Sequence, residues 1–377
     1  MKNKILALLL LAMPIQASAQ KITLGSCTIS EGVGETKVTG QYQGEMSAGK
    51  PQGKGKVVYS NGNIYEGEFV KGRRQGYGVY TFADGEKYEG QWFQNQQHGK
   101  GTYYFSNNNK YVGLWFRDFQ QGQGTMYYYN GDKYEGNWVE DKRQGKGRYT
   151  FSNGAYYNGN WENDQKSGRG FYDWGDGSTY DGLWANNMRS GRGTYKYSDG
   201  DIYVGEWKDD IQNGEGLYKF QNGDVYQGGY VQGERTGMGT FKFVNGDKYT
   251  GQFKEGDRDG EGTMVWRNGD TYVGQWKANR QNGHGKLIKK SGDVFEGNFT
   301  NGALNGEVII RYADGSKFKG SYSRGMRNGP AIEEDKNGKR FEGTYVNDYR
   351  DGKFVEKDKN GKITARGHYD NGRRFNN

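Results

Sequence analysis

From residue 42 onward, the hydrophobic and polar positions of the chain form one pattern that repeats. An aromatic, a glycine and a second aromatic occupy alternate positions with polar residues between them, as in Tyr134-Glu135-Gly136-Asn137-Trp138. Alternation with a period of two predicts a strand with one apolar face. A second strand follows, with its own alternating set in Gly147, Tyr149 and Phe151. The pair recurs every 23 residues, led by Tyr42, Tyr65, Tyr88, Tyr111, Tyr134, Tyr157, Tyr180, Tyr203, Tyr226, Tyr249, Tyr272, Phe295, Phe318 and Phe341. Counting each leader as position 0, glycine stands at positions 2 and 11 of every unit. Position 4 is aromatic everywhere except at Met46.

Asn-Gly or Asp-Gly closes twelve of the fourteen units, the exceptions being Asn107-Asn108 and Ser291-Gly292. A two-residue loop there would pair position 16 with the next leader and put the aromatics on opposite faces. A three-residue loop, a type I turn with its glycine left-handed in a bulge, pairs position 15 with that leader instead. It also sets the position 13 glycine opposite the next unit's position 2 glycine. A one-residue slip flips a whole strand, so the register that unites the aromatics is the expected one.

The expected fold is therefore all-β: an elongated, single-layer antiparallel meander of repeated hairpins, aromatic on one face and polar on the other. At strand spacing it would run about 130 Å before twist. Tyr65-Glu66-Gly67-Glu68-Phe69, Gly76-Tyr77-Gly78-Val79-Tyr80 and Asp84-Gly85 resemble the MORN-repeat consensus, as does nearly every other unit. The resemblance implies a MORN solenoid, a curved and twisted sheet whose contacts run mostly between neighbouring repeats. MORN repeats also occur in junctophilins and in plant phosphatidylinositol phosphate kinases, and the family is often linked to membranes. The catalytic domain of those kinases has no counterpart here.

Fourteen repeats then span residues 42–363. Residues 20–41 form an N-terminal cap segment, with Thr36 to Gly40 as a candidate strand, and 364–377 a C-terminal cap or partial repeat. The last units decay, with Val308, Ala331 and Phe354 at position 13 and Ile310, Glu333 and Glu356 at position 15. Gly352-Lys353-Phe354 with Asn360-Gly361-Lys362 resembles the MORN variant common in bacterial proteins. Polar residues on a formerly aromatic face suit a terminal cap.

Composition excludes two classes. Glycine contributes 66 residues and aromatics 15 % of the chain, whereas a disordered chain is poor in aromatics. Residues 1–19 read as a signal peptide, with Lys2 and Lys4, an apolar run from Ile5 to Met13, and Ala17-Ser18-Ala19 at the cleavage site. No later stretch is apolar enough to span a bilayer as a helix. The expectation is a bacterial, exported protein, periplasmic or associated with the outer membrane. Leu24-Gly25-Ser26-Cys27 loosely resembles a lipoprotein acylation site, but Gln20-Lys21 separates it from the apolar run, so a plain thiol is expected. With Cys27 the one cysteine, no intrachain disulfide can form.

Catalytic and cofactor chemistry find no foothold. His98, His284 and His368 are far apart, without ligand spacing, so no metal site is expected, and no nucleophile elbow or phosphate loop is present. Strings such as G-x-G-x-x-G fall in strand-turn-strand context and carry no nucleotide meaning. The expectation is no enzyme, no cofactor and no nucleic acid.

Two binding features remain. An aromatic stripe of Trp92, Trp115, Trp138, Trp161, Trp184 and Trp207 would serve first as core, and second as a groove for a protein partner. A basic ladder at position 9, comprising Arg74, Arg143, Lys166, Arg189, Arg235, Arg258, Arg327 and Arg350, is placed in the longer loop before the second strand, along one edge. With a net charge of +8, it would attract acidic ligands. The functional expectation is a non-enzymatic interaction scaffold of the bacterial cell envelope that holds a protein partner. Direct binding of anionic lipid or envelope glycan is the alternative, and pairing of two sheets through their aromatic faces stays open.

Overall fold

The computed structural model describes residues 21–32 and 36–376. The expected signal peptide lies outside them. Among the described residues there are 31 strands, all antiparallel, in one open sheet, and no α-helix. The chain divides into two compact units, one of residues up to 153 with 161–164, the other of 154–160 with 165 onward.

The first unit opens with β1 (Thr23–Glu31), which pairs with β2 (Val38–Ser47), which pairs in turn with β3 (Lys50–Tyr59). Next come β4 (Ile64–Val70), β5 (Arg73–Thr81), β6 (Lys87–Phe93), β7 (Gln96–Tyr104), β8 (Lys110–Phe116) and β9 (Phe119–Tyr127). β1 lies outside the repeat pattern, and its half-buried Cys27 stands opposite Tyr42.

The expected register is the observed one. Tyr103 pairs with Tyr111 and Gly101 with Gly113 across β7 and β8, and the same offset recurs as Tyr195 with Tyr203 and Gly193 with Gly205 in the second unit. The loop between units is the bulged three-residue form. The Gly131 amide donates to the Tyr128 carbonyl, the Tyr128 amide to the Asp132 carbonyl, and Gly131 has φ +89°.

The turn inside each unit differs from the expectation of a longer loop. Trp115 pairs with Gln120 and Phe116 with Phe119, leaving only Arg117 and Asp118 between strands, at φ 52° and 71°. Left-handed conformation at both central residues defines a type I′ turn. Position 7 is Gly, Asn or Asp in all fourteen units, the residue types that tolerate such φ. The second strand of each unit thus begins at position 8, and position 9 lies on it. The ladder absorbs this change with a bulge after position 2, as between Gly113 and Trp115.

The core is made by the leading tyrosines, which lie over glycine pairs. Tyr65, Tyr88 and Tyr111, and Tyr180 through Tyr272 in the second unit, are fully buried. The Tyr88 hydroxyl donates to the Gln91 carbonyl at 2.9 Å, three residues on, and Tyr180 does the same to Leu183 at 3.0 Å. A Cβ on Gly101 would stand 2.3 Å from the Tyr88 hydroxyl and 2.5 Å from its ring. Glycine is therefore required by the ring above it. Position 13 is not glycine in three units, at Val308, Ala331 and Phe354, and those three units are led by Phe295, Phe318 and Phe341. A side chain at position 13 fills the space of the phenol oxygen, so the hydroxyl goes. Val308, Ile310, Phe318, Ala331, Phe341 and Phe354 then form an ordinary apolar cluster.

The opposite face is mixed rather than polar. Tyr77, Tyr104, Val112 and Leu114 are exposed there in the first unit, as are Leu183 and Val204 in the second.

These contacts predict the cost of single methyl groups. Gly101→Ala should lose about 2–4 kcal/mol in urea unfolding, because the floor under Tyr88 cannot move aside. Gly85→Ala meets nothing within 4 Å and is strained only by its φ of +93°, so about 1 kcal/mol is expected. Equal losses would show that the ring does not depend on a glycine floor.

Candidate functional site

Position 4 rings such as Trp92 and Trp115 are packed between two leading tyrosines. Trp92 meets Tyr88 and Tyr65 edge-on at 5.2 and 5.4 Å, and Trp115 meets Tyr111 and Tyr88, both at 5.3 Å. Such edge-to-face pairs each contribute about 0.5–1.5 kcal/mol beyond area burial. The Trp92 indole N–H donates to the Gly78 carbonyl at 3.2 Å, and Trp138, Trp161 and Trp184 repeat the bond to Gly124, Gly147 and Gly170. Trp92, Trp115, Trp138, Trp161, Trp184 and Trp207 are 4–6 % exposed. The stripe is core, and the surface above it belongs to other residues.

Those residues include the basic ladder, which the type I′ turn carries off the expected edge and onto the aromatic face. In the first unit, Arg143 lays its guanidinium 4.3 Å from the Trp161 ring centroid and 5.6 Å from that of Tyr149. Its Nε donates to Asp164 Oδ1 at 3.0 Å and its Nη2 to the Asp164 carbonyl at 2.8 Å. Arg74 stands 4.4 Å from Trp92, donates to the Asn95 carbonyl at 3.0 Å and pairs with Glu31 at 3.0 Å. In the second unit, Arg189 repeats the arrangement on Trp207 and Asp210, and Arg258 on Trp276 and Asn279. Arg235 lies 5.5 Å from Tyr226 and 5.8 Å from Phe253, and Lys166 lies 4.2 Å from Trp184. Arg327 and Arg350 stack on Phe318 and Phe341, and Arg350 also pairs with Glu333 at 2.9 Å. The ladder is thus a row of cations seated on rings, with Arg74, Arg143, Arg189 and Arg258 also clamped by the next turn. A charge held this way is in part neutralised within the chain.

Sequence reasoning missed the clamp, although its signal was present. The position 7 Asn or Asp caps the position 9 amide of the preceding unit, as Asp164 Oδ1 does for Arg143 N at 2.9 Å and Asn95 Oδ1 for Arg74 N at 2.7 Å.

In the first unit, the aromatic face holds a groove of about 740 Å³. Its walls are the ladder ends Arg74 and Arg143, the rings Phe82, Tyr103, Phe105 and Tyr128, and the carboxylates Asp118 and Asp141. Position 9 is glutamine along its middle, at Gln97 and Gln120, both buried. The opposite face carries furrows over the glycine rows, one of about 540 Å³ beside Tyr77, Tyr104, Val112 and Leu114.

No metal-binding group of three or more His, Cys, Asp or Glu side chains occurs among the described residues. His98 lies on β7, between Phe93 and Phe116 at ring-centroid distances of 5.5 and 5.2 Å. No described helix is long and apolar enough to cross a membrane.

The fold and its aromatic face define a β-hairpin repeat protein whose units are built alike. The MORN repeat family profile matches thirteen consecutive stretches of 23 residues, from 42–64 to 318–340, and the chain belongs to that family. MORN repeats are generally interaction or binding modules. The unit from 341 lies beyond the match, yet its strands Arg340–Val346 and Tyr349–Lys357 pair as the others do. No curated protein matches the chain. Similar solved structures include the TCP10 domain of Danio rerio CPAP, at 12 % identity and TM-score 0.32, covering 58 % of this chain and 98 % of that one. Another is the TCP domain of Drosophila melanogaster SAS-4 in complex with a proline-rich motif of Ana2, at 16 % identity and TM-score 0.29, covering 41 % and 84 %. Likenesses this weak carry no argument about this chain's partner.

Lys166 is the one lysine of the ladder, and burial pushes its ammonium down from 10.5 to about 8, against the pull of Asp210. Between those values the unfolded chain holds a proton that the folded chain has lost, so stability gains as pH rises from 8 to 10.5. The buried phenols act oppositely. Burial raises Tyr180 from 10 to about 12, so stability is lost as pH climbs above 10. Lys166→Arg, charged throughout, should lack the gain, on the order of 1 kcal/mol between pH 7.5 and 9.5. Parallel urea-midpoint profiles for parent and variant would place the Lys166 ammonium at its ordinary value.

Proposed function

We propose that the protein is an exported, non-enzymatic interaction scaffold that holds a protein partner against its aromatic face, in the cell envelope. The observation that carries the reading is the groove between Arg74 and Arg143. It joins half-buried rings at positions 15 and 17 to exposed carboxylates, on strands held in place by the tyrosine core. Aromatic rings with some exposure are enriched in protein-binding surfaces. The rigid floor supports the reading too, because a partner's rings and chains can seat without ordering the site first. Direct lipid binding through the ladder has less support, since Arg143 and Arg189 are each 19 % exposed in their side chains and already paired with carboxylates. The envelope location rests on the lysine-led apolar segment at the start of the chain.

The test is affinity capture from envelope extract at high salt, comparing the full chain with a Phe105→Ser/Tyr128→Ser variant. Both residues are half-buried position 17 rings that the leading tyrosines do not need for their floor. A defined protein should be recovered with the parent chain and at least tenfold less with the variant, while thermal unfolding changes by only a few degrees. Equal recovery would remove the groove from the function. Recovery of lipid or glycan alone, lost as salt rises, would replace the scaffold reading with direct ligand binding.

A further inference from the structure

The repeats supply their own comparison set at position 9. At Arg143 and Arg189 the cation sits on the next unit's position 4 ring and is clamped by that unit's position 7 aspartate, Trp161 with Asp164 and Trp207 with Asp210. Four units carry glutamine instead: Gln97, Gln120, Gln212 and Gln281. After Gln212 and Gln281, the next position 7 is Gly233 and Gly302, so neither cation nor acid is present there. After Gln97 and Gln120, the next position 7 is Asp118 and Asp141, so the acid stays where the cation has gone.

The backbone does not require that charge. Asp118 Oδ1 accepts the Gln97 amide and Asp141 Oδ1 the Gln120 amide, both at 2.7 Å. Neutral Asn95 performs the same cap for Arg74 at 2.7 Å, and Asn279 for Arg258 at 3.0 Å. Asp118 and Asp141 are exposed and form no ion pair among the described residues, unlike Asp164 and Asp210. Tyr103 and Trp115 beside Gln97, and the Met126 thioether with the Trp138 ring beside Gln120, all line the groove. Glutamine stops at the position of arginine's Nε, short of the Cζ and Nη groups, and the half-buried rings of Phe82, Tyr103, Phe105 and Tyr128 line the groove above it.

We propose that Gln97–Asp118 and Gln120–Asp141 are two consecutive guest seats for cations, filled by arginine or lysine side chains of a partner protein segment. The assignment rests on the scaffold reading above and names the partner's chemistry. Half-buried rings of the groove offer a π face to a cation, and Asp118 and Asp141 a carboxylate to its N–H groups. The seats are one repeat apart, or two strands, about 10 Å. A polyproline-type segment advances about 9 Å in three residues and returns its side chains to the same face, so basic residues three apart match the spacing.

The test uses the full chain and a fluorescein-labelled peptide with an Arg-Pro-Pro-Arg centre, read by anisotropy. Its citrulline counterpart keeps the shape and removes the charge. Gln97→Arg/Gln120→Arg refills both seats with the chain's own guanidinium groups, and Asp118→Asn/Asp141→Asn keeps the caps while removing the charge. The arginine peptide should bind the parent chain at least tenfold more tightly than the citrulline peptide, and each double variant should lose that advantage with an unchanged or higher Tm. Equal binding of the two peptides, or binding that neither variant alters, overturns the proposal. Competition by free arginine at the peptide's own concentration also overturns it, since the site would then take a small cation rather than a protein segment. A partner captured equally by the parent and by Gln97→Arg/Gln120→Arg, but lost with Phe105→Ser/Tyr128→Ser, overturns the seats and leaves the scaffold reading standing.

Discussion

The structure depends on one contact, a tyrosine ring laid over a pair of glycines with its hydroxyl bonded to a carbonyl three residues ahead. A single sheet has no second layer to cover its apolar face, so the leading ring must cover the backbone itself. That demands bare backbone at positions 2 and 13, and it explains why Gly90 and Gly101 accept no Cβ beneath Tyr88. The position 4 rings then fill the gaps between tyrosines edge-on, and the indole N–H groups of Trp92, Trp138, Trp161 and Trp184 donate to position 13 carbonyls of the preceding unit. Where the floor is rebuilt with Val308, Ala331 and Phe354, the leader loses its hydroxyl and the packing becomes an ordinary apolar cluster.

The second constraint is the type I′ turn. Because only two residues separate the strands of a unit, position 9 is drawn onto the second strand and across from position 4. A cation that would otherwise stand at a solvated edge is laid on a ring and clamped by the following turn. The net charge of +8 is therefore a poor guide to the face the protein offers, because much of the ladder is spent inside the repeat array. What distinguishes one stretch of this regular surface from another is where the internal pairing fails, and at Gln97 and Gln120 the carboxylates of Asp118 and Asp141 stay where the cation has gone.

That asymmetry suggests how a repeat protein acquires a specific site. A uniform array presents the same surface many times and selects nothing. Replacing the resident cation in two neighbouring units costs little fold stability, because the tyrosine floor and the caps remain. It leaves rings and carboxylates already arranged for a cation that the partner must bring.

Periodicity, strand pairs, bulged loops and register were all legible in the residues, because side-chain alternation and the Asn-Gly or Asp-Gly turns are local and repeat fourteen times. The glycine pairs were legible as facing rows, and the tryptophans as core. The position of the basic ladder was not read correctly: Gly, Asn or Asp at position 7 signals a two-residue turn, but the length between the aromatics suggested a loop. The clamp of Arg143 by Asp164 and the groove over Gln97 and Gln120 appear only when units are stacked, since each joins residues about 21 positions apart on neighbouring hairpins. Sequence determined what each hairpin is, through steric and turn preferences acting within one unit. Tertiary structure decided which charges are spent and which are left to offer, because that balance is set between units, in contacts no single repeat contains.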